Sequence, residues 1–89
     1  MLERELIVAN RLGLHARATA KLVQVLSGYR SNVTLSAKGR QVNAKSIMGV
    51  MLLAAGAGTP VLVRLEGEDE ADALRAVSEL FERRFDEDA

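Results

Sequence analysis

The chain reads as an α+β domain: an open-faced sandwich of one antiparallel-rich, four-stranded sheet with three helices on one face, in the order βαββαβα. Three observations lead there. Four short segments alternate apolar and polar side chains, as half-buried strands do. Three others repeat apolar residues at helical spacing, each with a single apolar stripe. A lone stripe needs one surface to cover it, and a sheet with one buried face supplies that surface. With 89 residues there is room for a single core, so residues 1–89 are expected to form one domain.

Glu3 to Ala9 alternate, with Leu6 and Val8 on one side and Glu5 and Ile7 on the other, which predicts the first strand. Asn10 to Gly13 form a loop. The first helix runs from about Ala16 to Leu26, with Thr19, Leu22, Val23 and Leu26 inward and Ala16, Ala20, Lys21 and Gln24 outward. Ser27-Gly28 stops it. Asn32 to Ala37 and Arg40 to Ala44 form a hairpin about Lys38-Gly39, with Val33, Leu35 and Ala37 inward. The second helix begins at the N-cap Ser46 and reaches about Leu53, and Ala54 to Pro60 are loop. Val61 to Glu66 make the fourth strand, facing the core with Val63 and Leu65. The third helix starts near Asp69, expected to cap it, with Asp72 three residues on. Leu74, Val77, Phe81 and Phe85 form its buried stripe, Arg83-Arg84 its last turn, and Asp86-Glu87-Asp88 a solvated tail without function.

Composition narrows the chemistry. There is no cysteine, which excludes disulfides, thiolate nucleophiles and the usual zinc sets, and a single histidine argues against a metal site or any metal cofactor. No apolar run reaches the roughly 18 residues of a membrane span, and the charged start lacks the apolar stretch of a secretion signal. A cytoplasmic location is expected. The net charge of zero hides an asymmetry: nine basic against two acidic residues up to Arg64, three against ten from Leu65 onward. The half with the histidine is therefore positive, a field that favours acidic partners or phosphorylated ligands. Nucleic acid is a poor alternative, because the three aromatic side chains give little to stack on.

The chemistry centres on Gly13-Leu14-His15-Ala16-Arg17. His15 falls at, or one residue outside, the first turn of the first helix. Such a helix start leaves amide N–H groups without partners and carries the positive end of the helix dipole. The amides of Ala16 and Arg17 can then hold an anion beside the imidazole, and the Arg17 guanidinium adds a planar cation. A nucleophilic nitrogen, an anion cradle and a cation within five residues suggest transient phosphorylation of His15. A lone histidine in a small protein is more often a surface or capping residue.

The second helix, Ser46 to Leu53, is too apolar for one buried face. With Val50, Leu53 and Ala54 inward, Met48 and Met51 lie near the surface. They either fill gaps in a small core or form an adaptable contact patch, since methionine repacks against different partners. Ser46 is adequately explained as an N-cap. A phosphate there would also be favoured by the helix N-terminus, and would place negative charge beside that patch.

Gly13-Leu14-His15-Ala16-Arg17 and Lys45-Ser46-Ile47-Met48-Gly49-Val50-Met51, at this separation and in this order of elements, are similar to the two motifs of HPr, the histidine-containing phosphocarrier family of the bacterial phosphotransferase system. The resemblance runs from end to end. It implies the strand order 1-4-2-3. It also implies that His15 accepts a phosphoryl group, through Nδ1, from Enzyme I charged by phosphoenolpyruvate. The group then passes to a histidine of an Enzyme IIA protein. Arg17 matches the arginine that attends the phosphate, and Ser46 the serine phosphorylated by HPr kinase in some bacteria. Ile47, Met48 and Met51 match the partner interface, joined by Ala16 and Ala20.

One departure is Ala18, where most members carry proline; alanine keeps the helix and adds back an N–H donor. The residues about Ala18, with those after the second helix, are nearer the proteobacterial and nitrogen-branch carriers, so service in sugar uptake and in regulation both remain open. The chain is expected to be a monomeric carrier rather than a stand-alone turnover enzyme, needing no organic cofactor. The alternative is a regulatory binding protein of the same fold, acting through its phosphorylation state.

Overall fold

Four strands and three helices form in the expected order in the computed structural model, which describes residues 1–87: β1 (Leu2–Ile7), α1 (Ala16–Leu26), β2 (Asn32–Ala37), β3 (Arg40–Asn43), α2 (Ile47–Leu53), β4 (Pro60–Glu66) and α3 (Glu70–Glu82). A short turn, Arg84–Asp86, follows α3. Asp88 of the expected tail lies outside the described residues.

The sheet order is β1-β4-β2-β3 and every neighbouring pair is antiparallel. The last strand slides between the first and second. It places Val63 opposite both Arg4 and Leu35, and Leu65 opposite both Leu2 and Val33. Period-two alternation then sends Val33, Leu35, Val61, Val63 and Leu65 to one face, all fully or nearly fully buried. The helices cover that face with Ala18, Leu22 and Leu26 from α1, Val50 and Leu53 from α2, and Ala73, Leu74, Val77, Leu80 and Phe81 from α3. Each large aliphatic side chain so removed from water contributes about 1.5–3 kcal/mol.

Several details depart from the pattern-based reading. Val23 is only half-buried and Ala18, at the position of the expected proline, takes its place in the core. Ala54 is exposed, because it ends α2 in the left-handed conformation (φ 52°, ψ 41°), and Ala55 turns inward instead. No basic residue lies in the last turn of α2. Its C-terminal carbonyls are met from the hairpin, where Lys38 Nζ donates to Ala54 O (2.8 Å) and Arg40 to Leu52 O (2.9 Å). Asp69 occupies the N-cap position of α3 without capping it. Its carboxylate accepts from Arg30 N, Ser31 N and Ser31 Oγ, tying the start of α3 to the entrance of β2.

The chain's end departs most. α3 stops at Glu82, so Arg83-Arg84 are not its last turn. Arg84, Phe85 and Asp86 all have positive φ (54°, 55° and 62°). For side-chain-bearing residues this costs about 1–2 kcal/mol each. The turn drives Phe85 fully into the core, its ring 5.0 Å from that of Phe81. Lys21 Nζ donates to the Phe85 carbonyl (2.9 Å). Asp86 and Glu87 of the expected solvated tail are thus folded back towards α1.

Candidate functional site

His15 is the N-cap of α1, and the segment before it is pinned on two sides. Asn10, fully buried, donates through Nδ2 to Gly13 O (2.7 Å), closing the turn that Gly13 completes at φ +69°. Leu14 N donates to Ala55 O (2.9 Å), joining the loop after α2 to the histidine loop. Thr19 Oγ1 reaches back to Leu14 O (3.1 Å), and Thr19 N to His15 O (2.9 Å). The imidazole therefore leaves a backbone held by both neighbouring loops and by the helix behind it.

Nδ1 of His15 accepts the amide of Arg17 at 3.3 Å, a long contact of the kind a Ser or Asn cap makes to the second helical residue. Of the two expected amides, that of Arg17 is therefore occupied by the ring itself, while Ala16, as the first helical residue, has no intrahelical partner for its N–H. Nε2 lies 2.5 Å from Glu87 Oε2, and Glu87 Oε1 accepts Asn10 Nδ2 at 3.0 Å. The ring stays partly exposed.

Around it lies an open depression of about 670 Å³, walled by His15, Arg11, Arg17 and Lys21 together with Asp86 and Glu87. The acid-rich end of the chain is thus not separated from the positive half: Asp86 pairs with Lys21 (3.4 Å) and with Arg83 (2.9 Å). The Glu87 carboxyl is held below its ordinary value, first by the Asn10 amide; burial pushes the other way, and the His15 ring and the Arg17 guanidinium add to the lowering. Asp86 is lowered chiefly by its bond to Arg83.

The other sequence-derived residues lie on the two neighbouring helices. Ala16 and Ala20 are exposed on α1. Ile47, Met48 and Met51 are exposed on α2 (48%, 74% and 44%), which packs beside α1. Ser46 caps α2, its Oγ accepting from Gly49 N at 3.0 Å. Leu12 and Leu52 are equally exposed and were not singled out by pattern. Leu12 carried a signal all the same, as a large apolar residue in a loop with nothing to bury it. Glu87 carried none, standing 72 residues from the ring it touches.

A ring nitrogen offered at an open surface lined by three cations and two carboxylates, with exposed methionines on the adjoining helix, fits a class: a carrier that receives a group and hands it on while docked to other proteins. Residues 2–83 match the family model described as PTS HPr component phosphorylation site. The chain is 72% identical over 88 residues to the phosphocarrier protein HPr of Xylella fastidiosa, and 52% identical over 87 residues to that of Cupriavidus necator, covering 98–99% of each chain. It superposes on the crystal structure of HPr-C-His from Thermoanaerobacter tengcongensis with a TM-score of 0.96, at 39% identity and full coverage of both chains. An HPr dimer from the same organism gives 0.79 at 40% identity, over 98% of this chain and 100% of that one. The chain belongs to the HPr family, the phosphoryl carriers of the phosphotransferase system. Among the described residues, no helix is long and apolar enough to cross a membrane.

Proposed function

We propose that this carrier works through Nδ1 of His15, charged in the cytoplasm by Enzyme I and discharged to an Enzyme IIA protein. The observation that carries the reading is the division of labour on the ring. One nitrogen is held by a carboxylate at 2.5 Å, and the other makes only a 3.3 Å contact with a backbone amide. The Nδ1 lone pair forms a bond to phosphorus as the donor's bond to phosphorus breaks, and the ring becomes cationic. The Arg17 amide, released from the lone pair, then donates to a phosphoryl oxygen. The Ala16 amide and the exposed Arg17 guanidinium supply the remaining donors. The hold stays modest because every donor sits at the surface, which suits a group that must leave again.

Catalysis here is alignment of two nucleophiles across an in-line phosphoryl, with charge stabilisation by the cradle. The exposed Ile47, Met48 and Met51 of α2, with Ala16 and Ala20 of α1, provide the surface that accepts donor and acceptor in turn. Ser46 serves as a cap, and as a site where HPr kinase, in organisms that have it, would add charge beside that surface. The protein works as a monomeric single domain; sedimentation at working concentration, weighed against the dimer seen for the Thermoanaerobacter protein, checks this.

The experiment is incubation with labelled phosphoenolpyruvate and Enzyme I. Acid-labile label confined to His15, and abolished by His15→Ala in a folded protein, is expected. Label elsewhere, or undiminished labelling of the variant, overturns the assignment.

A further inference from the structure

Two features of the chain's end are given no role of their own in the carrier scheme as stated. One is the run of three consecutive positive φ values at Arg84, Phe85 and Asp86. The other is the carboxylate of Glu87, which that turn carries to His15. Backbone of this kind persists only where the surroundings over-determine it. Here Phe85 is buried, its carbonyl is bound by Lys21, and Asp86 is bound by Arg83. The product of the arrangement is a carboxylate fixed through both oxygens: Oε1 to the buried Asn10, which itself holds the histidine loop, and Oε2 to the ring.

We propose that Glu87 is a positioning residue for phosphoryl transfer, keeping the proton of the neutral His15 ring on Nε2 so that Nδ1 presents the lone pair. The inference rests on the carrier reading above. An ionised carboxylate only accepts hydrogen bonds, so the nitrogen facing it must be the protonated one, and the other is then the nucleophile. The Asn10 amide, which holds Glu87 below its ordinary value, keeps it an ionised acceptor at neutral pH. Its charge acts on the transfer as well. The ring turns cationic as the N–P bond forms, so its attraction to the carboxylate strengthens between ground state and product. The same bond stops the ring turning about its side-chain axis, so Nδ1 keeps its direction between one partner and the next.

The test compares the wild type with Glu87→Ala and Glu87→Gln, first by ¹⁵N and ¹H NMR of the neutral ring without any partner. In the wild type, a downfield Nε2–H proton protected from water exchange is expected. In Glu87→Ala that proton is lost to exchange and the Nδ1–H form becomes detectable; Glu87→Gln keeps the proton, shifted upfield. In single-turnover labelling by phosphorylated Enzyme I, Glu87→Ala slows the first-order step by about three- to tenfold, the scale of one partly buried hydrogen bond to a charge. The concentration giving half-maximal rate is expected to change less than twofold, and Glu87→Gln to recover part of the rate.

A role confined to anchoring the chain's end would lower melting temperature and leave ring spectrum and first-order rate alone. That outcome overturns the proposal, as does a wild-type ring protonated on Nδ1. If the ring shows the Nε2–H signature but His15 never takes label, the carrier assignment fails and this role with it. If wild type and Glu87→Ala label at one rate, the positioning role alone fails.

Discussion

Gly13→Ala should be among the most damaging methyl additions available in this chain, and the reason can be isolated with a second glycine. Gly13 has φ +69°, and a Cβ built there would stand 2.5 Å from Ala55 O and 2.7 Å from Gly56 Cα. Both are backbone atoms, so neither can swing aside as a side-chain end would. The Ala55 carbonyl also accepts the Leu14 amide at 2.9 Å, so moving that loop loosens the bond that locates the segment before His15. Left-handed backbone for alanine, overpacking against a fixed loop and one weakened hydrogen bond come together to about 3–5 kcal/mol. Gly39, at φ +77° in the hairpin turn, has nothing within 4 Å of its Cβ position. Gly39→Ala carries only the conformational part, about 1 kcal/mol. In a domain of this size each kcal/mol moves the melting point about 4–8 °C, so the two variants should melt about 10–25 °C apart. Thermal and urea unfolding followed by circular dichroism read the difference directly. If the two melt within about 3 °C of each other, the close approach of the two loops is not a determinant of stability. In the cold, where Gly13→Ala remains folded, it should also accept phosphoryl more slowly than Gly39→Ala.

Three other outcomes follow from single residues. Ala54→Gly relieves the left-handed C-cap of α2 (φ 52°) and should stabilise by about 0.5–1 kcal/mol, seen as a higher urea midpoint at unchanged slope. Met48→Glu, at a side chain 74% exposed, should leave stability within about 0.5 kcal/mol of wild type while raising several-fold the concentration of carrier that Enzyme I needs. Asp69 is held below its ordinary value of 3.8, first by the Ser31 hydroxyl and then by the Arg30 amide. A carboxyl whose folded value is depressed contributes stability above the unfolded value and loses it as pH falls through the folded one. Wild type should therefore be more stable than Asp69→Asn at neutral pH, and the gap should close below about pH 4, as read by urea midpoints across the range.

The elements, and the place of His15 at the start of α1, were legible because their signals are local. A strand shows in alternation over six residues, a helix in spacing over eleven, and a helix start in the residue types about His15; none of these needs knowledge of what lies across the core. Exposure of Met48 and Met51 followed from the same arithmetic, since a seven-residue helix with so many apolar side chains cannot turn them all inward. The strand order came only through family resemblance, because alternation says which face a residue takes and nothing about its neighbour.

Tertiary structure decided the rest. Only the folded chain shows that Lys38 and Arg40 close the end of α2, that Asp69 serves the entrance of β2 instead of its own helix, and that Glu87 returns to His15. Each of these joins residues far apart in sequence through a polar group whose own neighbourhood is unremarkable, so no window of sequence contains the reason for it. Phe85 shows as buried in the apolar stripe, but Asp86 and Glu87 read as solvated until that ring is seen to enter the core from beyond the end of α3. The burial of that one ring bends the backbone through left-handed space and brings the carboxylate to the imidazole.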